Sequence, residues 1–180
     1  MKRSLFAAAL VGMALVSLPF EASAQVSAVK PVQFGIAGGA ALPTSDLSDG
    51  VSTGWNATGT VALNPAMIPL GIRVDAAYNR FGAKDGQDGN IHFTSVTGNL
   101  VYKVPSMSVS PYLIGGAGWY NAAASAGSIT VSDNHFGWNV GGGIAMPLSG
   151  FSTFVEARYN QVQGDGGSVK FIPVTFGIMF

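Results

Sequence analysis

Leu70-Gly71-Ile72-Arg73-Val74-Asp75-Ala76-Ala77-Tyr78-Asn79 alternates, residue by residue, between apolar side chains and small, polar or charged ones. A period of two is the mark of a β-strand with two unlike faces. Leu70, Ile72, Val74, Ala76 and Tyr78 share one face, and Gly71, Arg73, Asp75, Ala77 and Asn79 the other. The same period recurs in segments 32–42, 55–63, 96–104, 111–120, 136–146, 154–160 and about 170–180. Each is close to the ~9–11 residues that a tilted membrane-spanning strand needs.

The connections alternate too. Segments 64–69, 105–108 and 149–150 are short, whereas 43–54, 82–90, 121–134 and 161–169 are longer and rich in Gly, Ser and Asp. Short turns at one end and long loops at the other describe an up-and-down barrel. The expected fold is therefore all-β: an eight-stranded antiparallel up-and-down transmembrane β-barrel. An even strand number puts both termini on the short-turn side, which would be periplasmic.

Composition separates this barrel from a soluble one. Charged residues make up 10% of the chain, against about 25% in ordinary soluble domains. A lipocalin-like barrel would turn its apolar face inward and need Lys and Glu outside. Here the polar face offers mainly Gly, Ala, Asn and Thr, which suit a small interior better than a solvated exterior. After the N-terminal region no run of ~20 apolar residues exists, so a membrane helix is excluded, and only a closed barrel satisfies every backbone group in lipid. With nine basic and nine acidic residues there is no cationic excess to hold nucleic acid. The chain has no cysteine, so disulfides do not staple the fold.

Residues 1–24 read as a cleaved export signal: Lys2 and Arg3, an apolar stretch from Leu5 to Leu18, then Ala22-Ser23-Ala24. The rival reading is an N-terminal anchor helix, for which the apolar stretch is short. Residues 25–180 are then one barrel domain, expected in the bacterial outer membrane. Trp55, Trp119 and Trp138 fall at the loop-side ends of their strands and Tyr102 and Phe180 at the turn side, as aromatic girdles at the two interfaces would.

The motifs Pro111-Tyr112-Leu113-Ile114-Gly115-Gly116-Ala117-Gly118, His135-Phe136-Gly137-Trp138-Asn139-Val140-Gly141-Gly142-Gly143, Val155-Glu156-Ala157-Arg158-Tyr159 and Pro173-Val174-Thr175-Phe176-Gly177-Ile178-Met179-Phe180 resemble the small outer-membrane β-barrel family that includes the OmpA transmembrane domain and OmpX. The resemblance covers residues 25–180. It implies insertion by the outer-membrane assembly machinery, which in this family recognises a C-terminal strand with a final aromatic. Phe176, Ile178 and Phe180 match that signal. It also implies that the peptidoglycan-binding domain of full-length OmpA is missing. Pro173 departs from the pattern, because proline removes a ladder donor, and a bulge or incomplete pairing is expected there.

Some small barrels of this kind modify lipids, and acyl-ester hydrolysis needs a hydroxyl, a base and a carboxylate in reach of one another. The two histidines, His92 and His135, read as rim residues, and no catalytic residue is assigned. The run Lys84-Asp85-Gly86-Gln87-Asp88-Gly89-Asn90 offers oxygen ligands but lacks EF-hand spacing, and ordinary turn chemistry accounts for it. No metal site or cofactor is expected. The loop carboxylates Asp46, Asp49, Asp85, Asp88, Asp133 and Asp165 together offer a place where divalent ions would bridge to lipopolysaccharide phosphates. On the strand parity Arg73, Asp75, Lys103, Glu156 and Arg158 project into the lumen as a charged cluster. The expectation is a monomeric structural barrel with a largely filled lumen, surrounded by outer-membrane lipids and lipopolysaccharide, whose loops meet surface partners. The alternative is a narrow-conduit transporter or a lipid-modifying enzyme.

Overall fold

A computed structural model describes residues 31–45, 47–65, 68–84, 89–104, 109–126, 129–164 and 166–180. Eight strands follow in chain order: β1 (Val32–Thr44), β2 (Gly54–Leu63), β3 (Leu70–Gly82), β4 (Asn90–Lys103), β5 (Ser110–Ala126), β6 (Ile129–Pro147), β7 (Ser152–Gly164) and β8 (Gly167–Met179). Each pairs antiparallel with its neighbours, and β1 closes on β8 with Ile36 opposite Ile178. The seam extends to Phe34 and Phe180, which exchange both backbone hydrogen bonds at 3.2 and 2.7 Å. Closure leaves the lipid-spanning wall without a free edge. The expected export signal, residues 1–24, lies outside the described residues.

Side-chain parity runs as the alternation demands. Ile36, Leu113 and Trp119 are 65%, 64% and 72% exposed on the outer wall, while Asp75 and Glu156 are 2% and 3% exposed inside. Water would penalise that arrangement and lipid favours it, since apolar groups face out and polar groups find partners within.

Two expected loops are largely strand. Segment 121–134 continues the β5–β6 ladder up to Ala126 opposite Ile129, and segment 161–169 continues β7–β8 to Gly164 opposite Gly167. The reason is that the alternation reports contact with lipid on one side. Above the apolar band the outer face is wet and no longer needs apolar side chains, so the pattern fades while backbone pairing persists without it. Trp119 and Trp138 are consequently not at strand ends. They stand nine residues above the turn-side ends Ser110 and Pro147, and Trp55 stands eight above Leu63.

Pro173 interrupts one ladder only. Ala157 pairs with Val174 and Asn160 with Phe171 in an unchanged register, and the two positions between are unpaired between β7 and β8. No bulge is inserted. On its other side Pro173 still lies opposite Ala41 of β1.

The first long connection folds a short helix, α1 (Leu47–Gly50), over the loop-side mouth. Ser45, with a φ of 53°, starts it and accepts from the Ser48 hydroxyl at 2.6 Å. A bridge between Val51 and Ala83 ties this connection to the end of β3, and Lys84 donates to the Ser48 carbonyl.

Candidate functional site: a layered lumen

The barrel interior is organised in three layers along its axis. At the loop side Ala41, Val51, Phe81, Phe93, Tyr120, Val162 and Phe171 form one buried apolar cluster, with Leu47 of α1 packed on it. The Phe93 and Phe171 rings stack at 5.2 Å, and Phe81 meets both edge-on at 6.1 and 5.7 Å. Sequence reading missed this lid, although a signal existed. Phe81 continues the inward row of Asp75, Ala77 and Asn79, and Phe93 that of Ser95, Thr97 and Asn99.

Below the lid lies a polar network centred on four charges. β3 places Arg73 and Asp75 on its inward face, and β7 does the same with Glu156 and Arg158. Arg73 Nη2 donates to both Glu156 oxygens at 2.8 Å and its Nε to Asp75 Oδ2 at 3.0 Å. Arg158 Nε reaches Glu156 Oε1 at 2.6 Å and its Nη2 reaches Asp75 Oδ2 at 2.8 Å. Each guanidinium thus touches both carboxylates, and the four charges cancel. Neutral donors complete the shells: the Thr60 hydroxyl (2.5 Å) and Asn99 Nδ2 (2.9 Å) on Asp75, and the Tyr112 hydroxyl (2.8 Å) on Glu156. Such completeness is what a buried ion network requires, because an unmatched member carries the full desolvation penalty.

Lys103 does not join the four. Its Nζ donates to Asn64 Oδ1 at 2.7 Å near the turn-side mouth. Between Lys103 and the network sits the third layer, where Ala62, Val101, Tyr112, Ile114, Phe154 and Met179 cluster. Phe154 links the layers, with Arg73 Cζ 5.8 Å above its ring.

Inward glycines make room for these rings rather than for water. A Cβ on Gly143 would lie 2.6 Å from the Tyr112 ring, and one on Gly177 would lie 2.4 Å from that of Phe154. What space remains is small. One cavity of about 30 Å³ borders the charged network, lined partly by Thr58, Ala77 and Thr175, and another of about 50 Å³ lies by Gln33, Asn64 and Lys103. Each has room for a few waters at most.

On the outer wall Trp55 packs against Tyr78 and Trp138 against Tyr159, at ring separations of 5.2 and 5.6 Å. Tyr102 is exposed at the turn side, opposite Leu70 and Leu113. His92 faces outward and stacks on Tyr78 at 5.5 Å, and His135 Nε2 lies 3.9 Å from Asp133 Oδ2. Neither arrangement is the hydroxyl, imidazole and carboxylate relay that acyl-ester hydrolysis needs. Of the loop carboxylates, Asp46, Asp85, Asp88 and Asp165 lie outside the described residues, and Asp49 and Asp133 are exposed.

Solved structures share this architecture. Neisserial surface protein A superposes with a TM-score of 0.70 at 17% identity, covering 83% of this chain and 96% of that one. Ail, the attachment invasion locus protein of Yersinia pestis, gives 0.53 at 23% identity, covering 84% and 100%. OprG of Pseudomonas aeruginosa gives 0.52 at 18%, covering 84% and 97%. At these identities the likeness concerns the fold. No curated protein matches the chain. A family model described as outer membrane protein beta-barrel domain matches residues 7–180. Inverted polarity, closed eight-stranded topology and this match agree: the chain belongs to the outer-membrane protein β-barrel domain family and is a small barrel of the bacterial outer membrane.

Proposed function

We propose that this protein is a structural barrel whose lumen is sealed and whose role is carried by its outer surface and loops, in contact with lipopolysaccharide and surface partners. The supporting observation is the filled interior: an aromatic lid, a neutral ion network and a lower apolar layer lie in series along one axis. Eight strands enclose a space that side chains can fill, and here they do so. The protein works as a monomer and carries no catalytic centre in this reading. Purified protein in lipid vesicles is expected to give solute flux no greater than protein-free vesicles in a swelling assay. Sustained uptake of small sugars or amino acids would overturn the reading.

A second reading, a narrow conduit, has one observation in its favour. Arg73 and Phe154 line both cavities, so movement of these two side chains would join them. Single-channel recording in planar bilayers separates the two readings, because brief openings belong only to the conduit.

Residues 1–24 serve as the export signal in this proposal, and Phe176, Ile178 and Phe180 as the mark read by the assembly machinery. Phe176 and Ile178 have outward parity on β8, and Phe180 continues that parity just past its end. Removing Phe180 is expected to lower outer-membrane yield more than removing the tip of any one loop. Comparing heat-modifiable protein in isolated outer membranes tests this, and equal yields would sink it.

A further inference from the structure

The charges of the barrel wall are sorted by sign as well as by face. Among the described strand residues, Arg73, Asp75, Lys103, Asp133, Glu156 and Arg158 have inward parity, Asp133 well above the others near the tip of β6, and the outward-parity charges are Arg80 and Lys170. Both are cations. Arg80 stands ten residues above Leu70, and Lys170 stands ten from Phe180 at the turn side. Ten residues at ~3.3 Å each on a strand tilted by ~40° rise about 25 Å, the height of the apolar band. Both cations therefore emerge at the outer-leaflet interface, where a charge on the lipid side costs little and a lipid headgroup is within reach.

Arg80 has company that Lys170 lacks. Its neighbours in register are Trp55 on β2 and His92 on β4. Tyr78, two residues below on the same face, lies between those rings, 5.2 Å from Trp55 and 5.5 Å from His92. Three adjacent strands thus present a continuous aromatic surface with one guanidinium at its upper edge. The Arg80 side chain is exposed and makes no ion pair or hydrogen bond with the described residues. His92 Nδ1 is buried without a partner among them, so this ring contributes its stacked face. A planar fork of donors suits a phosphate, and flat rings beside it suit the apolar face of a sugar.

We propose that Arg80, Trp55, Tyr78 and His92 form a site on the outer wall for the phosphorylated sugar headgroup of an outer-leaflet glycolipid. The guanidinium takes the phosphate, the rings take the sugar, and the acyl chains run down the apolar wall past Ala76 and Val74. This site rests on the proposed contact with lipopolysaccharide, lies on the wall, and is independent of the lumen and of whether the barrel conducts.

Native mass spectrometry of the folded protein in detergent, titrated with diphosphoryl lipid A, tests the assignment. Wild type is expected to retain the lipid, and enzymatically dephosphorylated lipid A is expected to be retained roughly tenfold less. Arg80→Gln should show a loss of similar size and Arg80→Lys a smaller one, with heat-dependent gel mobility confirming that each variant is folded. Lys170→Gln should change little. Equal retention by Arg80→Gln, or of the dephosphorylated lipid, would overturn the proposal. An equal loss in Lys170→Gln would reduce it to general charge attraction, also overturning it. Displacement by millimolar inorganic phosphate would identify a free-anion site, and displacement by phosphatidylglycerol would show that the sugar is not read. Either result refutes the glycolipid assignment.

Discussion

Replacing Glu156 with alanine is expected to destabilise the barrel by about 3–5 kcal/mol, the range for stranding a buried charge. Glu156 accepts from Arg73, from Arg158 and from the Tyr112 hydroxyl. Without it two guanidinium groups share Asp75 alone, so a neutral set becomes a net cation inside the membrane. The double variant Glu156→Ala with Arg158→Ala leaves the neutral Arg73–Asp75 pair, joined at 3.0 Å. It should therefore recover part of the loss even though it removes more contacts. Equilibrium unfolding in lipid vesicles measures both. Bilayer conductance on the same proteins reports whether opening this layer admits ions. Small additive losses of ~0–1 kcal/mol, as for solvated surface pairs, with unchanged conductance, would show that these charges do not hold the lumen together.

Val74→Arg is expected to cost about 2–4 kcal/mol, the penalty for a cation on the lipid face near the bilayer midplane. Val74 is exposed on the outer wall, between Val61 of β2 and Gly98 of β4. It stands four residues above Leu70 and six below Arg80, well inside the apolar band. The control is Thr58→Asn, an inward change whose native hydroxyl donates to Asn56 Oδ1 at 3.1 Å. That substitution keeps a donor and adds little volume beside the 30 Å³ cavity, so the expected loss is about 1 kcal/mol or less. A barrel with an aqueous exterior would reverse the order of the two variants. Refolding yield and unfolding midpoint in vesicles decide it, and tolerance of Val74→Arg would contradict the lipid-facing assignment.

Much of this architecture was legible in the chain because a strand's two faces are a local property. Once Ile72 and Val74 alternate with Arg73 and Asp75, the choice of face is fixed for each residue without knowledge of any partner. The same logic orients Glu156 and Arg158 and extends to the aromatic residues of the wall. Where the two faces stop differing in environment, the logic stops as well. Ala122 to Ala126 carry no alternation, and Ile129-Thr130-Val131-Ser132 alternates over only four residues beside Gly127 and Ser128, so the β5–β6 hairpin was expected as a loop.

Parity places a side chain in the lumen; it does not say what that side chain meets there. Arg73 and Glu156 are 83 residues apart, and their contact depends on barrel radius, tilt and stagger, which belong to the closed sheet as a whole. The same geometry leaves Lys103, inward by parity like the other four, a layer lower with Asn64 as its partner. It also brings Phe81, Phe93 and Phe171 from three strands into one lid. The sequence by itself determined eight strands, their order and which face of each meets lipid, because alternation is written into every segment. Tertiary structure alone decided which inward residues pair, which stand apart and how the lumen is sealed, because those depend on distances across a closed ring.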